Sequence, residues 1–450
     1  MTQYRVSRVG VVALVLGLAL GGCAFQPPDP GRQVAPSVTV SAPAGVGTPG
    51  VPQVVPTPTP STPPALPNPA VLAKTLQKVP TKNLGATGVV VADAAGEQLY
   101  ANGDKPLQPA STMKILTTMT ALDLLGPDTR FETRVVQVDA GTIALVGGGD
   151  PFLMTKPATA SYKPASLEAL AKSTAAALGN RKSVNLVYDA SLFSGSGWGS
   201  AWRDRWKKTY PRVSALTVNR GMATKWTAAG NPAKFAAQEF VKELAAVKVK
   251  VSSVKAGKAP GDGAVLASVA SAPVWVIVQR TLRVSDNIGA EVLARHAGRA
   301  ASGNGSFAGG SAAIRDWLTQ HGMPQDKNVI DGGSGLSLAT RVNPGTLTKT
   351  LALAVSDPRY APVLRGLPVA GANGTLKKRF NDKNEAAARN VVHAKTGALD
   401  NVSTLAGYLV DADGATLVFA AMANKTNGHD NDAHNWLDRT AAILATCGCR

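Results

Sequence analysis

Ser111 and Lys114 stand three positions apart in PASTMKILTT, residues 109 to 118. One helical turn puts such a pair on the same face, within reach of each other. A serine hydroxyl attacks acyl groups only when a base takes its proton, and a lysine amine is a base only when neutral. Backbone N–H groups at a helix opening can also hold a developing oxyanion. The bland alternative makes Ser111 an N-cap and leaves the Lys114 head in water, which is the common use of a lone pair of this kind. Lys114 is an awkward choice for that, because a cation in the first turn opposes the helix dipole. Met113, Leu116, Met119, Leu122 and Leu125 also cover much of the helix surface, so the element is expected to be buried. Burial is what a lysine base needs. Moving its pKa from about 10.4 to about 7 takes roughly 4 to 5 kcal/mol.

Two further stretches join this pair. VSDNIGAE carries Ser285, Asp286 and Asn287 at the mouth of a helix, and VVHAKTGALD carries Lys395, Thr396 and Gly397 at the end of a strand. Each alone has an ordinary reading, a helix cap and a loop. Taken in this order they fit one reaction. Lys114 takes the Ser111 proton, aided by burial and by the nearby Lys395 cation. Ser285 relays it to a leaving amine, and Asn287 holds the substrate amide and orients Lys114. Lys395 and Thr396 suit a substrate carboxylate, and the N–H groups of Ser111 and Ala398 form an oxyanion hole.

The triple set S-x-x-K, S-D-N and K-T-G is shared by class A β-lactamases and penicillin-binding proteins. With LVGGGDPFL, VSALTVNRG, DGGSGLS, LPVAGANGTLKKRF and AKTGALDNVSTLAGYLVDADG, the chain resembles the D-alanyl-D-alanine carboxypeptidase/endopeptidases over about residues 70 to 445. These are low-molecular-mass class C penicillin-binding proteins of the penicillin-binding protein 4 type. The resemblance implies cleavage of peptidoglycan peptides through an acyl-enzyme on Ser111, with β-lactams acylating the same serine. It implies an α+β, β-lactamase/transpeptidase-like domain, an antiparallel sheet flanked by helices, with one or two small lobes inserted between the first two motifs. The 174 positions from Ser111 to Ser285 leave room for them. Lys114, Ser285, Asn287, Lys395, Thr396 and Gly397 match the motifs directly. Asp204, in WRDRW, corresponds loosely to a lobe residue that reads the substrate side chain. Two departures stand out: Ala398 replaces a threonine after K-T-G, and Leu338 stands at an arginine position after G-S-G-L-S.

The elements that must carry these residues are legible in outline. TGVVVADAAGEQLYANG reads as a hairpin turning at Ala94 to Glu97, and TLAGYLVDADGATLVFAAMAN as another turning at Asp413-Gly414. Both are apolar, so they are expected to share one antiparallel sheet. Helices are expected over Thr112–Leu125, in a stretch ending near Arg283, and over Ile288–Ala301, Gly310–His321 and Asn431–Ala445. Strands at both ends with helices between give α+β, not a doubly wound sheet. The catalytic domain is read as 69–127 plus 266–450 and the inserted lobe or lobes as 128–265, with short strands in FETRVVQVDAGTIALVGGGDPFL and SVNLVYDASLF and helices in SLEALAKSTAAALG and AKFAAQEFVKELAAV.

Residues 1–22 have signal-peptide architecture: Arg5 and Arg8, an apolar run from Val9 to Leu20, then small residues. Leu20-Gly21-Gly22-Cys23 resembles a bacterial lipobox, which makes Cys23 a lipidation site, the protein extracytoplasmic and the membrane a partner. An ordinary cleaved signal or an uncleaved anchor is the alternative. Residues 23–68, with PTPTPSTPPALP, form a proline-stiffened tether. Cys447 and Cys449 are too few for a zinc site and suit a local disulfide outside the cytoplasm.

The formal charge of +18 falls to +16 without residues 1–22. That favours anionic neighbours, yet the basic residues are scattered and no nucleic-acid motif accompanies them. HDNDAHNWLD, with His429, Asp430, Asp432 and His434, looks like a metal cluster but reads as the polar start of a C-terminal helix, capped by Asp430 or Asp432. LVGGGDP lacks a P-loop lysine and reads as a tight turn. No metal or cofactor is indicated. A β-lactamase is the nearest rival. In class A, fast deacylation depends on a glutamate after S-D-N. Between Asn287 and Lys395 only Glu291 and Glu385 are present, neither in the expected context, so slow β-lactam release is expected. A non-catalytic wall-binding lipoprotein is a further alternative. No G-x-S-x-G elbow supports an α/β-hydrolase.

Overall fold

A computed structural model of the chain describes residues 64–158, 162–324 and 326–448. Residues 1–22, read as a signal peptide, Cys23 and most of the expected tether lie outside them. Asn68 caps the first helix, α1 (Pro69–Leu76), accepting from the Ala70 and Val71 N–H groups, with Pro69 pre-set for the first turn. The hairpin β1 (Ala86–Asp93) and β2 (Gln98–Asn102) follows. Its turn is held by Asp93 Oδ1, which accepts from the Ala95 and Glu97 N–H groups. Then come α2 (Met113–Leu125), β3 (Glu132–Asp139), β4 (Thr142–Val146), α3 (Leu167–Leu178), β5 (Ser183–Asp189), α4 (Pro232–Ala246), β6 (Lys250–Ala256) and β7 (Val265–Ala270). The chain continues through α5 (Val274–Arg283), α6 (Asn287–Ser302), α7 (Phe307–Gln320), α8 (Pro344–Ser356) and α9 (Ala361–Gly366). It closes with β8 (His393–Leu399), β9 (Val402–Val410), β10 (Thr416–Asn424) and α10 (Asp430–Thr446).

One sheet runs β2-β1-β10-β9-β8, antiparallel throughout. Both hairpins expected from the sequence lie in it, joined edge to edge by β1 and β10. Its strands are apolar on both faces because both faces are covered. Along β10, Leu417, Phe419, Ala421 and Ala423 pack with α1 and α10, while Val418, Ala420 and Met422 pack with α2, α5 and α8. The period of two divides one strand between two cores. Helix α2 is buried from Met113 to Leu122, as its all-round apolar surface requires.

The second sheet, β6-β5-β4-β3-β7, belongs to the segment between the first two motifs. It is mixed. β4–β5 and β5–β6 pair in parallel, and α3 and α4 make the two crossovers. β3 pairs antiparallel with β4 and with β7, so residue 265, read as the end of the lobe, is the first residue of a strand of this sheet. The LVGGGDP run is not the tight turn expected: beyond β4, Gly147 N–H donates to Asp189 O and Gly149 N–H to Ala215 O, and the chain turns only at Pro151–Phe152. A Cβ on Gly148 would meet Glu132 O at 1.9 Å, and Asp150 Oδ1 accepts from Phe152 N–H.

Candidate active site

The serine of S-x-x-K does not cap α2. Ser111 lies in a 3-10 turn, Ala110–Thr112, that feeds the helix, and the cap position falls to Thr112 without a side-chain hydrogen bond. Ala110 is fully buried at φ 45°, a left-handed backbone that a non-glycine residue adopts only under constraint. A Cβ on Gly335 would meet Ala110 O at 1.8 Å, so the loop after α7 presses on this turn. The Ser111 hydroxyl is thereby released from capping and half-exposed.

Lys114 is fully buried, and its Nζ has three oxygen neighbours: Ser111 Oγ at 2.8 Å, Asn287 Oδ1 at 2.8 Å and Ser334 O at 2.7 Å. Two of these can only accept. A neutral amine has two N–H bonds and one lone pair, so the N–H bonds go to Asn287 and Ser334 and the lone pair is left facing the Ser111 hydroxyl. Burial lowers the Lys114 pKa from 10.5 to about 7, against the opposing pull of the Glu291 and Asp286 carboxylates. Near neutral pH the amine is therefore available as a base.

Lys395 is buried as completely. Its Nζ donates to Ser285 Oγ at 2.9 Å and to Thr396 O at 2.7 Å. Burial first, and the Lys114 charge second, hold its pKa well below the ordinary lysine value. Ser285 itself sits at φ 57° in the turn before α6. Asp286 caps that helix, Oδ1 accepting from Gly289 N–H at 2.9 Å. Asn287, the first residue of α6, is thus aimed at Lys114.

K-T-G is not at the end of a strand. It lies inside β8, which runs on to Leu399 as the sheet's edge strand, because Gly397 must stay extended against the Ser111 turn. A Cβ there would meet Thr404 Oγ1 at 2.1 Å, Pro109 O at 2.7 Å and Ser111 N at 3.0 Å. Thr404 in turn donates to Pro109 O at 2.8 Å, tying β9 to the same turn. Ala398, next along, is exposed. The Thr396 hydroxyl meets Thr375 Oγ1 at 2.7 Å.

Asp204 stands apart from this group. It is 81% exposed and paired with Lys207 at 2.7 Å. Its neighbours Arg203 and Arg205 pair instead with Asp400, in the turn between β8 and β9. Among the described residues no hydrogen bond or ion pair joins Asp204 to the serines or lysines of the site, and the loose match to a substrate-reading residue gains no contact here. Leu338 N–H donates to Ala201 O at 3.1 Å, so the same lobe segment touches the D-G-G-S-G-L-S loop as well.

Three partners were not assigned from sequence. Glu291, buried one helical turn after Asn287, accepts from Ser334 N–H at 2.8 Å and Gly333 N–H at 3.0 Å, and burial raises its pKa. It thereby holds the carbonyl that receives Lys114. Its spacing of four from Asn287 was the available signal. Thr375 and the Ser334 carbonyl had no signal of their own. Elsewhere, the C-terminal helix is capped by neither Asp430 nor Asp432. Both lie in its first turn, His429 takes the cap position, and His429 Nδ1 lies 3.2 Å from Asp432 Oδ2. Cys447 is disulfide-bonded, while Cys449 lies outside the described residues.

Comparison with known proteins shows the family and the fold. The model of the D-Ala-D-Ala carboxypeptidase 3 (S13) family matches residues 69–229 and 222–446. A carboxypeptidase of Mycobacterium tuberculosis is 32% identical over 381 residues, covering 82% of each chain. A D-alanyl-D-alanine carboxypeptidase of an Actinomadura species is 28% identical, covering 77% of this chain and 78% of that one. Penicillin binding protein 4 of Haemophilus influenzae shares the fold, with a TM-score of 0.70 at 20% identity over 84% of this chain and 98% of its own.

Proposed function

We propose that this chain, which belongs to the D-Ala-D-Ala carboxypeptidase 3 (S13) family, is a serine D-alanyl-D-alanine carboxypeptidase of peptidoglycan with Ser111 as nucleophile. The observation that carries the assignment of roles is the Lys114 amine, dry and 2.8 Å from Ser111 Oγ, with its other two directions occupied by acceptors. Ser111 Oγ attacks the carbonyl carbon of the bond before the terminal D-alanine, and its proton passes to Lys114 Nζ. The N–H groups of Ser111 and Ala398 receive the oxyanion. Ser285, donating from its hydroxyl and resupplied from Lys395 2.9 Å away, protonates the leaving amine. Water then attacks the acyl carbon, its proton passing through Ser285 to the Lys395 amine, and Lys114 returns its proton to Ser111 Oγ as the acid leaves. The edge strand β8 offers main-chain groups to an extended peptide, and Lys395, Thr396 and Gly397 form the floor for its terminal carboxylate.

A β-lactam acylates the same serine but keeps its leaving group tethered in the site. Glu291 has both oxygens committed to the Gly333 and Ser334 N–H groups, so it is not free to activate a hydrolytic water, and release is slow. This favours a penicillin-binding enzyme over a β-lactamase. Endopeptidase cleavage of cross-links is the same chemistry with a longer leaving amine. Secretion through residues 1–22, lipidation at Cys23 and tethering by residues 23–68 place the enzyme at the outer face of the membrane; these rest on the sequence alone, and no helix among the described residues is long and apolar enough to cross a membrane. Fluorescent penicillin is expected to label the purified protein covalently, and Ser111→Ala to abolish the labelling. Incubation with defined muropeptides is expected to release D-alanine, read by mass. A folded wild-type protein that neither takes the label nor trims the peptide would overturn the assignment.

A further inference from the structure

The inserted lobe reaches the catalytic turn at one charged contact. Arg220 Nε lies 2.7 Å from Asp286 Oδ2, and the Asp286 side chain is fully buried. That oxygen has no well-aligned hydrogen bond, so the Arg220 charge is its compensation. Asp286 stands between Ser285 and Asn287, the two residues that touch Lys395 and Lys114.

The segment that delivers the guanidinium is held in an improbable shape. Asn219, Arg220 and Gly221 all have positive φ, at 51°, 60° and 74°. Two consecutive non-glycine residues in this region are uncommon, and Arg220 carries the larger penalty because asparagine tolerates it better. The shape persists because it is tied from several sides. Asn219 and Thr155 exchange hydrogen bonds at 2.9 and 3.0 Å, Asn219 N–H donates to Leu153 O, and Ala229 N–H donates to Gly221 O. On the other side of the contact Ser285 is also left-handed, at φ 57°. A strained loop is therefore braced so that it presents one charge to a strained catalytic turn.

We propose that Arg220 is a positioning residue for acylation: its ion pair with Asp286 clamps the Ser285–Asn287 turn so that Ser285 meets Lys395 and Asn287 meets Lys114. The proposal rests on the reading of Ser111 and Lys114 given above. The charged groups facing this point come from every neighbouring element. They are Lys114 on α2, Glu291 on α6, Lys395 on β8, Arg280 on α5 and Arg220 itself, with Asp150 and Tyr162 from the lobe. Tyr162 feels Arg280, Asp150, Asp286 and Arg220 together. The Asp286 carboxylate acts on Lys114 by holding its proton, so a carboxylate stripped of its counter-charge would hold it harder.

The test is the acylation rate constant with a fluorescent penicillin, normalised to titratable serine and measured across pH. Arg220→Gln is expected to lower it by about 10- to 100-fold, the range for a small displacement of catalytic groups. It is also expected to move the limb set by Lys114 to higher pH. Arg220→Lys restores part of the rate. The double variant Arg220→Gln/Asp286→Asn buries no charge and is read in place of Arg220→Gln should that variant not fold. Its rate stays low because the clamp is gone, while its limb moves to lower pH because the carboxylate is gone. A merely structural role would lower thermal stability and leave the rate per serine as in the wild type, and in Arg220→Gln the limb as well. That result, in whichever variant folds, overturns the proposal. A wild type that takes no label at all would instead overturn the nucleophile assignment.

Discussion

Replacing Lys114 by methionine should separate stability from activity in a pH-dependent way. The side chain is fully buried and its pKa falls from 10.5 to about 7 on folding. The unfolded chain therefore binds a proton below 10.5, whereas the folded one waits until about 7. Between those values the unfolded state holds more protons, so this group makes stability rise with pH. Integrated over that window, the buried amine destabilises the native state by about 4 kcal/mol at pH 7 and by about 2 kcal/mol at pH 9. Methionine does not titrate. The stability of Lys114→Met relative to wild type should therefore grow by about 2 kcal/mol as pH falls from 9 to 7. Leaving Asn287 Oδ1 and Ser334 O without a donor adds a penalty of roughly 1 to 3 kcal/mol for each, but that penalty does not titrate and drops out of the slope. Lys395 feels the Lys114 charge, yet across most of this window Lys114 is neutral in the folded wild type, so the coupling contributes little. The assay is urea unfolding of both proteins at pH 7, 8 and 9. The same variant should lose acylation by about 100- to 10,000-fold, the range for removing a general base. Stability curves that stay parallel across this range would refute the claim that a desolvated neutral amine sits beside Ser111.

Glu291→Gln should lower the acylation plateau by about 10-fold, since a carboxamide oxygen serves one of the Gly333 and Ser334 N–H groups and its NH2 confronts the other. It also removes a charge that raises the Lys114 pKa, so the limb of the acylation–pH profile should move to lower pH. A limb moving to higher pH would contradict the assignment. Gly397→Ala should reduce acylation by about 100-fold and destabilise by roughly 1 to 3 kcal/mol, because its Cβ would lie 2.1 Å from Thr404 Oγ1 and 3.0 Å from Ser111 N. Wild-type acylation kinetics in that variant would mean β8 does not bear on the nucleophile as described.

The residues that do chemistry were legible because the reaction fixes both their type and their local spacing. Ser111 with Lys114, and Ser285 with Asn287, need only one helical turn or one tight turn to be brought together. The two hairpins were legible for a similar reason, since Asp93 and Asp411 make side-chain turns that short-range chemistry dictates. What could not be read falls into two kinds. Backbone acceptors such as the Ser334 carbonyl serve whatever side chain they carry, so no residue type announces them. Long-range pairs such as Arg220 with Asp286, or Arg203 and Arg205 with Asp400, depend on how loops far apart in sequence are folded onto one another. Asp204 illustrates the second kind: in WRDRW the acid drew attention, but the fold turns it toward Lys207 and gives the contact across the β8–β9 turn to the arginines beside it.

The carboxylates around Lys114 follow from the same constraint. A lysine base needs burial, and burial alone would lower its pKa without limit until the amine became too weak to accept a proton. Glu291 and Asp286 act in the opposite sense, and both are placed where their carboxylates have another task, one holding the Gly333–Ser334 loop and the other capping α6. Structure and basicity are therefore set by the same two side chains. A base works best when its pKa lies near the working pH, and a value of about 7 is the balance between the desolvation that frees the Lys114 lone pair and the two buried charges that keep it worth protonating.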